Sequence, residues 1–253
     1  MTAFSGQNIV LTGAASGIGR SLAEAFLRAG ACLAVIVRSP KTLPATIGSA
    51  LADANHRVYK LDLEDVEATA TTAASIRNDW GRVDVLVHCA GTVSLGRFND
   101  ATAEDFDRQY RVNVRAPWLL TRELLPAIPS KQGQVVFINS SAGVVARAGV
   151  GQYAATKHAL KALADSLRDE VNSLGIRVVT LFPGRTATPM QEKIHEAESK
   201  RFEQHCLIQP SDIADVVLHT LSLPRTVELT DIHLRPSLGP AIQSKVLPSN
   251  FPN

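Results

Sequence analysis

Two rhythms alternate along this chain. Short, mostly apolar runs recur: "NIVLTG" from Asn8, "CLAVIV" from Cys32, "RVYKLDL" from Arg57, "VDVLVHCAG" from Val83, "QVVFINSS" from Gln134, "IRVVTLFPG" from Ile176 and "DIHLRP" from Asp231. Between them lie stretches with apolar residues three and four apart, the spacing of one helix face: "GRSLAEAFLRAG", ended by Gly30; "PATIGSALADA"; "VEATATTAASIRNDWG"; a long region from about 102 to 127; "GQYAATKHALKALADSL"; and "DIADVVLHTLSL". Continuously apolar strands separated by helices need cover on both faces, which predicts a parallel sheet. Right-handed crossovers then give a single-domain, doubly wound α/β fold of the Rossmann type, with about seven strands and helices on both faces. No repeat or low-complexity linker divides residues 1–253, so one domain is expected. The charged segment 187–209 reads as a lid on the ligand side, and the tail from about 236 to 253, with four prolines, reads as irregular.

Composition narrows the function classes. The chain has 253 residues, 45% of them hydrophobic, enough for a sizeable core. The formal charge of +2, from 26 basic and 24 acidic residues, gives no electrostatic footprint for nucleic acid or a membrane surface. Cys32, Cys89 and Cys206 are far apart and form no CxxC pair, so neither a disulfide framework nor a metal site is expected. The N-terminus lacks a basic stretch followed by a long apolar run, and no window approaches a bilayer-spanning length. The expectation is a soluble cytoplasmic protein.

The first strand runs into "LTGAASGIGR", with Gly13, Gly17 and Gly19 spaced G-x-x-x-G-x-G and a helix following. Glycines there let the main chain approach a pyrophosphate, which a helix N-terminus favours electrostatically. A tight strand-to-helix turn would account for the same glycines; the alternating α/β context favours a dinucleotide. G-x-S-x-G is not satisfied, so a hydrolase elbow is not supported. In NAD sites a carboxylate about 20 residues past the glycines binds the ribose. Here no acidic residue lies between Glu24 and Asp53, and the second strand ends in Arg38, Ser39 and Lys41. A guanidinium suits a 2′-phosphate, so NADP(H) is favoured over NAD(H), with a solvated Arg38 as the other reading. Asp62 would accept from an adenine amino group or cap the next helix.

Tyr153 and Lys157 stand four apart at the start of the helix from Gly151, hence on one face. A phenol titrates near 10; an ammonium nearby would lower that by about two to three units, roughly 3–4 kcal/mol of differential stabilisation. Tyr153 would then serve as a general acid or base. Ser140 ends the fifth apolar run, at the carboxyl edge where open α/β sheets bind ligands, 13 residues before Tyr153. It would hold a substrate oxygen against the phenol; Ser141 competes for that place, and either serine could cap a turn.

With these residues in hand, the chain resembles the short-chain dehydrogenases/reductases along nearly its whole length. The matching positions are Thr12-Gly13-x-x-x-Gly17-Ile18-Gly19, "HCAG" from His88, Asn113 in "RVNVRAPWLLTREL", Ser140, Tyr153-x-x-x-Lys157 and "PGRTAT" from Pro183. The resemblance implies hydride transfer between a nicotinamide and a carbonyl carbon, interconverting an alcohol and a ketone or aldehyde. It implies Tyr153 as proton donor or acceptor, Lys157 lowering its pKa and binding the nicotinamide ribose, Ser140 orienting the reacting oxygen and Asn113 holding a relay water. Ser16, Leu63, Ala90, Gly91, Pro183, Gly184, Thr186 and Thr188 would join the glycines, Arg38, Ser39 and Asp62 around the cofactor. The family's usual Asn-Asn-Ala-Gly is here His88-Cys89-Ala90-Gly91, with Cys89 expected as a small packed residue and His88 as a strand-end structural one. Val93, Leu95, Val145, Gln152 and Met190 would line the substrate pocket, and Arg147 or Arg185 would receive an anionic group or stay solvated. The helical regions 102–127 and 152–172 are candidates for a homodimer or homotetramer interface. The alternatives are an NAD-dependent alcohol dehydrogenase and a catalytically idle dinucleotide-binding regulator.

Overall fold

The structure, a computed structural model, describes residues 4–237. Seven strands form one parallel sheet: β1 (Asn8–Thr12), β2 (Cys32–Val37), β3 (Arg57–Lys60), β4 (Val85–His88), β5 (Gln134–Ile138), β6 (Arg177–Pro183) and β7 (Asp231–Leu234). Their order across the sheet is β3-β2-β1-β4-β5-β6-β7, which reverses direction between β1 and β4. Leu11 of β1 lies between Val35 of β2 and Val87 of β4. The loops that leave β1 and β4 therefore emerge side by side at the switch point, where open α/β sheets take their ligands.

The helices are α1 (Gly17–Arg28), α2 (Ala45–Ala50), α3 (Val66–Trp80), α4 (Ala103–Tyr110), α5 (Ala116–Leu124), α6 (Gly151–Val171), α7 (Pro189–Ala197) and α8 (Pro210–Ser222). Strand alternation splits the core in two. Ile9 and Leu11 pack with Leu22 and Phe26 of α1 and Ile213 and Val217 of α8 on one face. Val10 points the other way, onto Ile76 of α3, Leu120 and Leu124 of α5 and Leu160 of α6. Each such buried Leu, Ile or Phe contributes about 1.5–3 kcal/mol, so both faces have to be covered. Among the described residues no helix is long and apolar enough to cross a membrane.

Three local differences from the sequence expectation bear on the site. The region 102–127 is one rod, but a π turn over Arg111–Arg115 joins α4 to α5. Ala116 N–H reaches back five residues to the Arg111 carbonyl. Pro117 explains the irregularity, since it has no N–H to give the Asn113 carbonyl, its α-helical acceptor. Next, β5 stops at Ile138, so Ser140 lies beyond the strand and caps a short 3₁₀ turn over Ser141–Gly143. Last, the segment 187–209 contains α7, started by Thr188, whose hydroxyl accepts from Gln191 N at 3.2 Å. The expected irregular tail lies outside the described residues beyond Ser237.

Candidate active site

The glycine loop is shaped by main-chain contact. Gly13 has φ +81°, and a Cβ there would sit 2.9 Å from Ala90 Cα and N. A Cβ on Gly19 would meet the Gly13 carbonyl oxygen at 2.1 Å, so α1 packs directly on the strand it follows. Thr12 completes the junction: its hydroxyl accepts from Cys89 N and Ala90 N, both at 3.0 Å. The motif contains Thr12, but only the register shows that it ties the loops of β1 and β4 together.

A cleft of about 830 Å³ opens at this junction. Every cofactor-side residue named from the sequence, from Gly13 to Thr188, lines it. Ser16 is the N-cap of α1 yet makes no side-chain cap hydrogen bond, and the first turn carries no acidic residue. The free N–H groups and positive end of α1 therefore fit a pyrophosphate. Arg38 is exposed at the cleft and has neither a hydrogen-bond nor an ion-pair partner among the described residues. Asp62 does not cap the following helix. Asp65 does, accepting from Ala68 N at 2.9 Å, while Asp62 accepts from Glu64 N at 3.0 Å in a tight turn. Arg111 pairs with the Glu64 carboxylate at 3.1 Å, and Arg115 donates to the Glu64 carbonyl, so the rod through α4 and α5 holds the loop after β3 in place.

Ser140, Tyr153 and Lys157 line the same cleft, with the Ser140 hydroxyl hydrogen-bonded to the Tyr153 phenol. Lys157 is 3% exposed, and among the described residues its Nζ has one hydrogen-bond partner, the Ile138 carbonyl at 3.4 Å. Nζ lies 5.8 Å from the centre of the Tyr153 ring. Burial brings the Lys157 ammonium down to about 8. Burial also pushes the Tyr153 phenol up, while the Ser140 hydroxyl beside it pulls the other way. The direction is opposite to the expectation of a phenol lowered by its lysine: desolvation of the buried phenol outweighs the Ser140 hydrogen bond. Asn139, which the sequence reading passed over, donates from Nδ2 to the Lys157 carbonyl at 3.0 Å and so fixes the first turns of α6 against the end of β5. Asn113 spends its side chain on the loop after β4: Oδ1 accepts from Thr92 N at 2.8 Å, and Nδ2 donates to Thr92 O at 2.8 Å and to Thr156 Oγ1 at 3.1 Å. It does not line the cleft with Lys157, though a Cβ on Gly91 would lie 3.4 Å from its Oδ1 and 3.8 Å from Lys157 Nζ.

The sequence matches the short chain dehydrogenase family over residues 7–199. The chain belongs to that family. It is an oxidoreductase by that membership. Oxidoreductase UcpA of Escherichia coli K12 is 36% identical over 199 residues, covering 77% of this chain and 74% of that one. A short-chain dehydrogenase of E. coli CFT073 complexed with NADPH superposes with a TM-score of 0.81 at 27% identity, covering 92% of this chain and 98% of that one. A Brucella melitensis protein described as a glucose/ribitol dehydrogenase gives a TM-score of 0.84 at 26% identity, covering 94% and 98%.

Where this family member departs from expectation is the substrate side. Arg185 and Met190 line the cleft; Val93, Leu95, Val145 and Gln152 do not. Val145 is 59% exposed, and Gln152 is engaged elsewhere, donating to the Thr102 carbonyl at 2.9 Å and accepting from Gln109 at 3.3 Å. Arg185 is not free to receive an anion. Its Nη2 reaches both Glu198 oxygens, at 2.8 and 2.6 Å, and its Nη1 lies 3.1 Å from His195 Nε2. His195 is buried with Nδ1 2.8 Å from the Gln191 carbonyl, which leaves Nε2 as the acceptor for Arg185. This set pins α7, whose Gln191 and Ile194 face the cleft, to the loop after β6. Burial takes His88 to about 3, stacked on Phe137 and 2.7 Å from Thr121 Oγ1; Cys89 lines the cleft, half-buried, with its thiol pushed up to about 12.

Proposed function

We propose that this chain interconverts an alcohol and a ketone or aldehyde with NADP(H), with Tyr153 trading the proton. The meeting of Ser140, Tyr153 and Lys157 on one wall of the glycine-loop cleft carries the reading. When bound, the dinucleotide supplies or takes up the hydride at the substrate carbon. Ser140 orients the substrate oxygen. The raised phenol stays protonated at neutral pH, which suits donation of its proton to that oxygen during reduction. As the proton leaves, the Lys157 charge stabilises the phenolate. Asn113 acts through its main-chain carbonyl, which Pro117 leaves without its α-helical donor, and holds the water that returns a proton towards Lys157.

Arg38 supports NADP(H) over NAD(H), being unpartnered among the described residues where the second strand delivers it; a structural relative holds NADPH. A titration of NADPH against NADH, then a carbonyl panel with the preferred one, tests the reading. Tyr153→Phe should cut turnover about a hundred- to ten-thousandfold while leaving dinucleotide affinity nearly unchanged. Arg38→Ala should weaken NADPH about tenfold or more and leave NADH within about twofold, since only the phosphate loses its charge-assisted partner. Tight NADPH binding by the unaltered protein, with no carbonyl turned over, would leave the regulator reading instead.

The partner for the α5–α6 face is a second copy of this chain. Trp118 is 45% exposed there under the Arg122 guanidinium, beside a groove lined by Leu125, Leu163 and Leu167. Light scattering should give a multiple of the chain mass, and Trp118→Glu should lower it.

A further inference from the structure

The turn Gln204–Cys206 and the residue before it gather three different donors that the oxidoreductase chemistry leaves unused. A Glu203 carboxylate oxygen, a His205 ring nitrogen and the Cys206 sulfur all lie within 4.8 Å of one another, a grouping that has no counterpart among the described residues. Cys206 Sγ already lies 3.7 Å from Glu203 Oε2, with the thiol donating. We propose that Glu203, His205 and Cys206 form a binding site for Zn²⁺ or a divalent cation of the same borderline-soft class.

The donor set selects the ion. A thiolate and an imidazole suit zinc and disfavour magnesium and calcium, which take oxygen. Thiolate and carboxylate together supply two negative charges, matching a divalent ion. Zinc bonds of about 2.0–2.3 Å in a tetrahedron place the ligands about 3.3–3.8 Å apart, so rotations of three side chains on one turn close the site. No long loop has to be ordered, because the ligands are neighbours in the chain. On binding, the Cys206 S–H proton leaves to solvent as the sulfur–metal bond forms, and a water takes the fourth position. The rival for Glu203 is weak: Arg201 stands 3.5 Å away with its side chain 88% exposed.

The turn connects to the cleft lining through the main chain two residues on. Ile208, two residues past Cys206, bridges to Thr186, donating to the Arg185 carbonyl at 3.1 Å and accepting from Ala187 N at 2.8 Å. A metal at the turn would stiffen the segment whose bridge at Ile208 supports the loop after β6.

Equilibrium dialysis of the full chain against Zn²⁺, with Co²⁺ as the spectroscopic probe, tests the proposal. Expected are one zinc per chain at micromolar concentration and a near-ultraviolet thiolate-to-cobalt band. Cys206→Ser should abolish the band, and His205→Ala and Glu203→Gln should each weaken zinc about tenfold or more, whereas Cys32→Ser should change neither. Substoichiometric zinc, a cobalt band that survives Cys206→Ser, or full affinity in both His205→Ala and Glu203→Gln would overturn it. The readouts are independent of turnover, so they stand whatever the carbonyl panel returns.

Discussion

At the glycine loop main chain packs on main chain with no room for a side chain, whereas after β6 main-chain hydrogen bonds hold the loop and side chains fasten α7 to it. Gly13 touches Ala90 and Gly19 touches Gly13, with no room for a single added carbon. Across the same cleft, Arg185 grips Glu198 and His195, and the segment's helix stays in place through two hydrogen-bonded partners rather than through steric necessity. The first arrangement tolerates almost no substitution and gives a rigid cradle. The second is adjustable, and charged pairs of this kind, about one-third exposed on the arginine side, stabilise only modestly. A cleft with one wall rigid and one adjustable can hold a constant cofactor while its substrate side changes.

Substitutions should separate the two walls by size of effect. Gly19→Ala would drive a methyl carbon to 2.1 Å from the Gly13 oxygen, and a loss of about 3 kcal/mol or more is expected in denaturant unfolding, with dinucleotide binding lost in parallel. Lys157→Met should do the opposite to stability. The folded chain holds Lys157 near 8 against an ordinary 10.5, so the unfolded chain binds the proton more readily and stability rises with pH between those values. Removing the ammonium should therefore raise stability by about 2–3 kcal/mol at pH 7 and flatten that rise, while activity is lost; urea melts at pH 7 and 9.5 would show it. Arg185→Ala should raise KM about tenfold with kcat changed less, because α7 is loosened while Ser140, Tyr153 and Lys157 stay put; equal losses in both would place Arg185 nearer the chemistry. The smallest effect is a control on the glycine argument. Gly48 lies within α2 with nothing near its would-be Cβ, so Gly48→Ala should stabilise the chain by about 0.5–1 kcal/mol.

Much of this was legible without coordinates. The apolar runs mark the strands because a strand buried on both faces cannot alternate, and Gly13, Gly17 and Gly19 mark the phosphate loop because close approach demands the absence of a side chain. The π turn also has a sequence signal, Pro117 four residues after Asn113, although apolar spacing alone reads the region as an unbroken helix. Other features carry no local signature. Asn139 steadies the backbone at Lys157 across 18 residues, and Arg185 meets Glu198 only because α7 folds back over the cleft. Likewise Gln152, one residue before Tyr153, turns to Thr102 instead of the pocket.

The sequence by itself determined the fold class, the cradle and which residue types stand at the proposed chemical wall, since periodicity, steric exclusion and i, i+4 spacing are properties of the chain's own geometry. The tertiary structure decided the charge balance at Tyr153 and Lys157 and the engagement of Arg185. Those depend on desolvation and on partners distant along the chain, and neither exists until the sheet and its helices have closed around them.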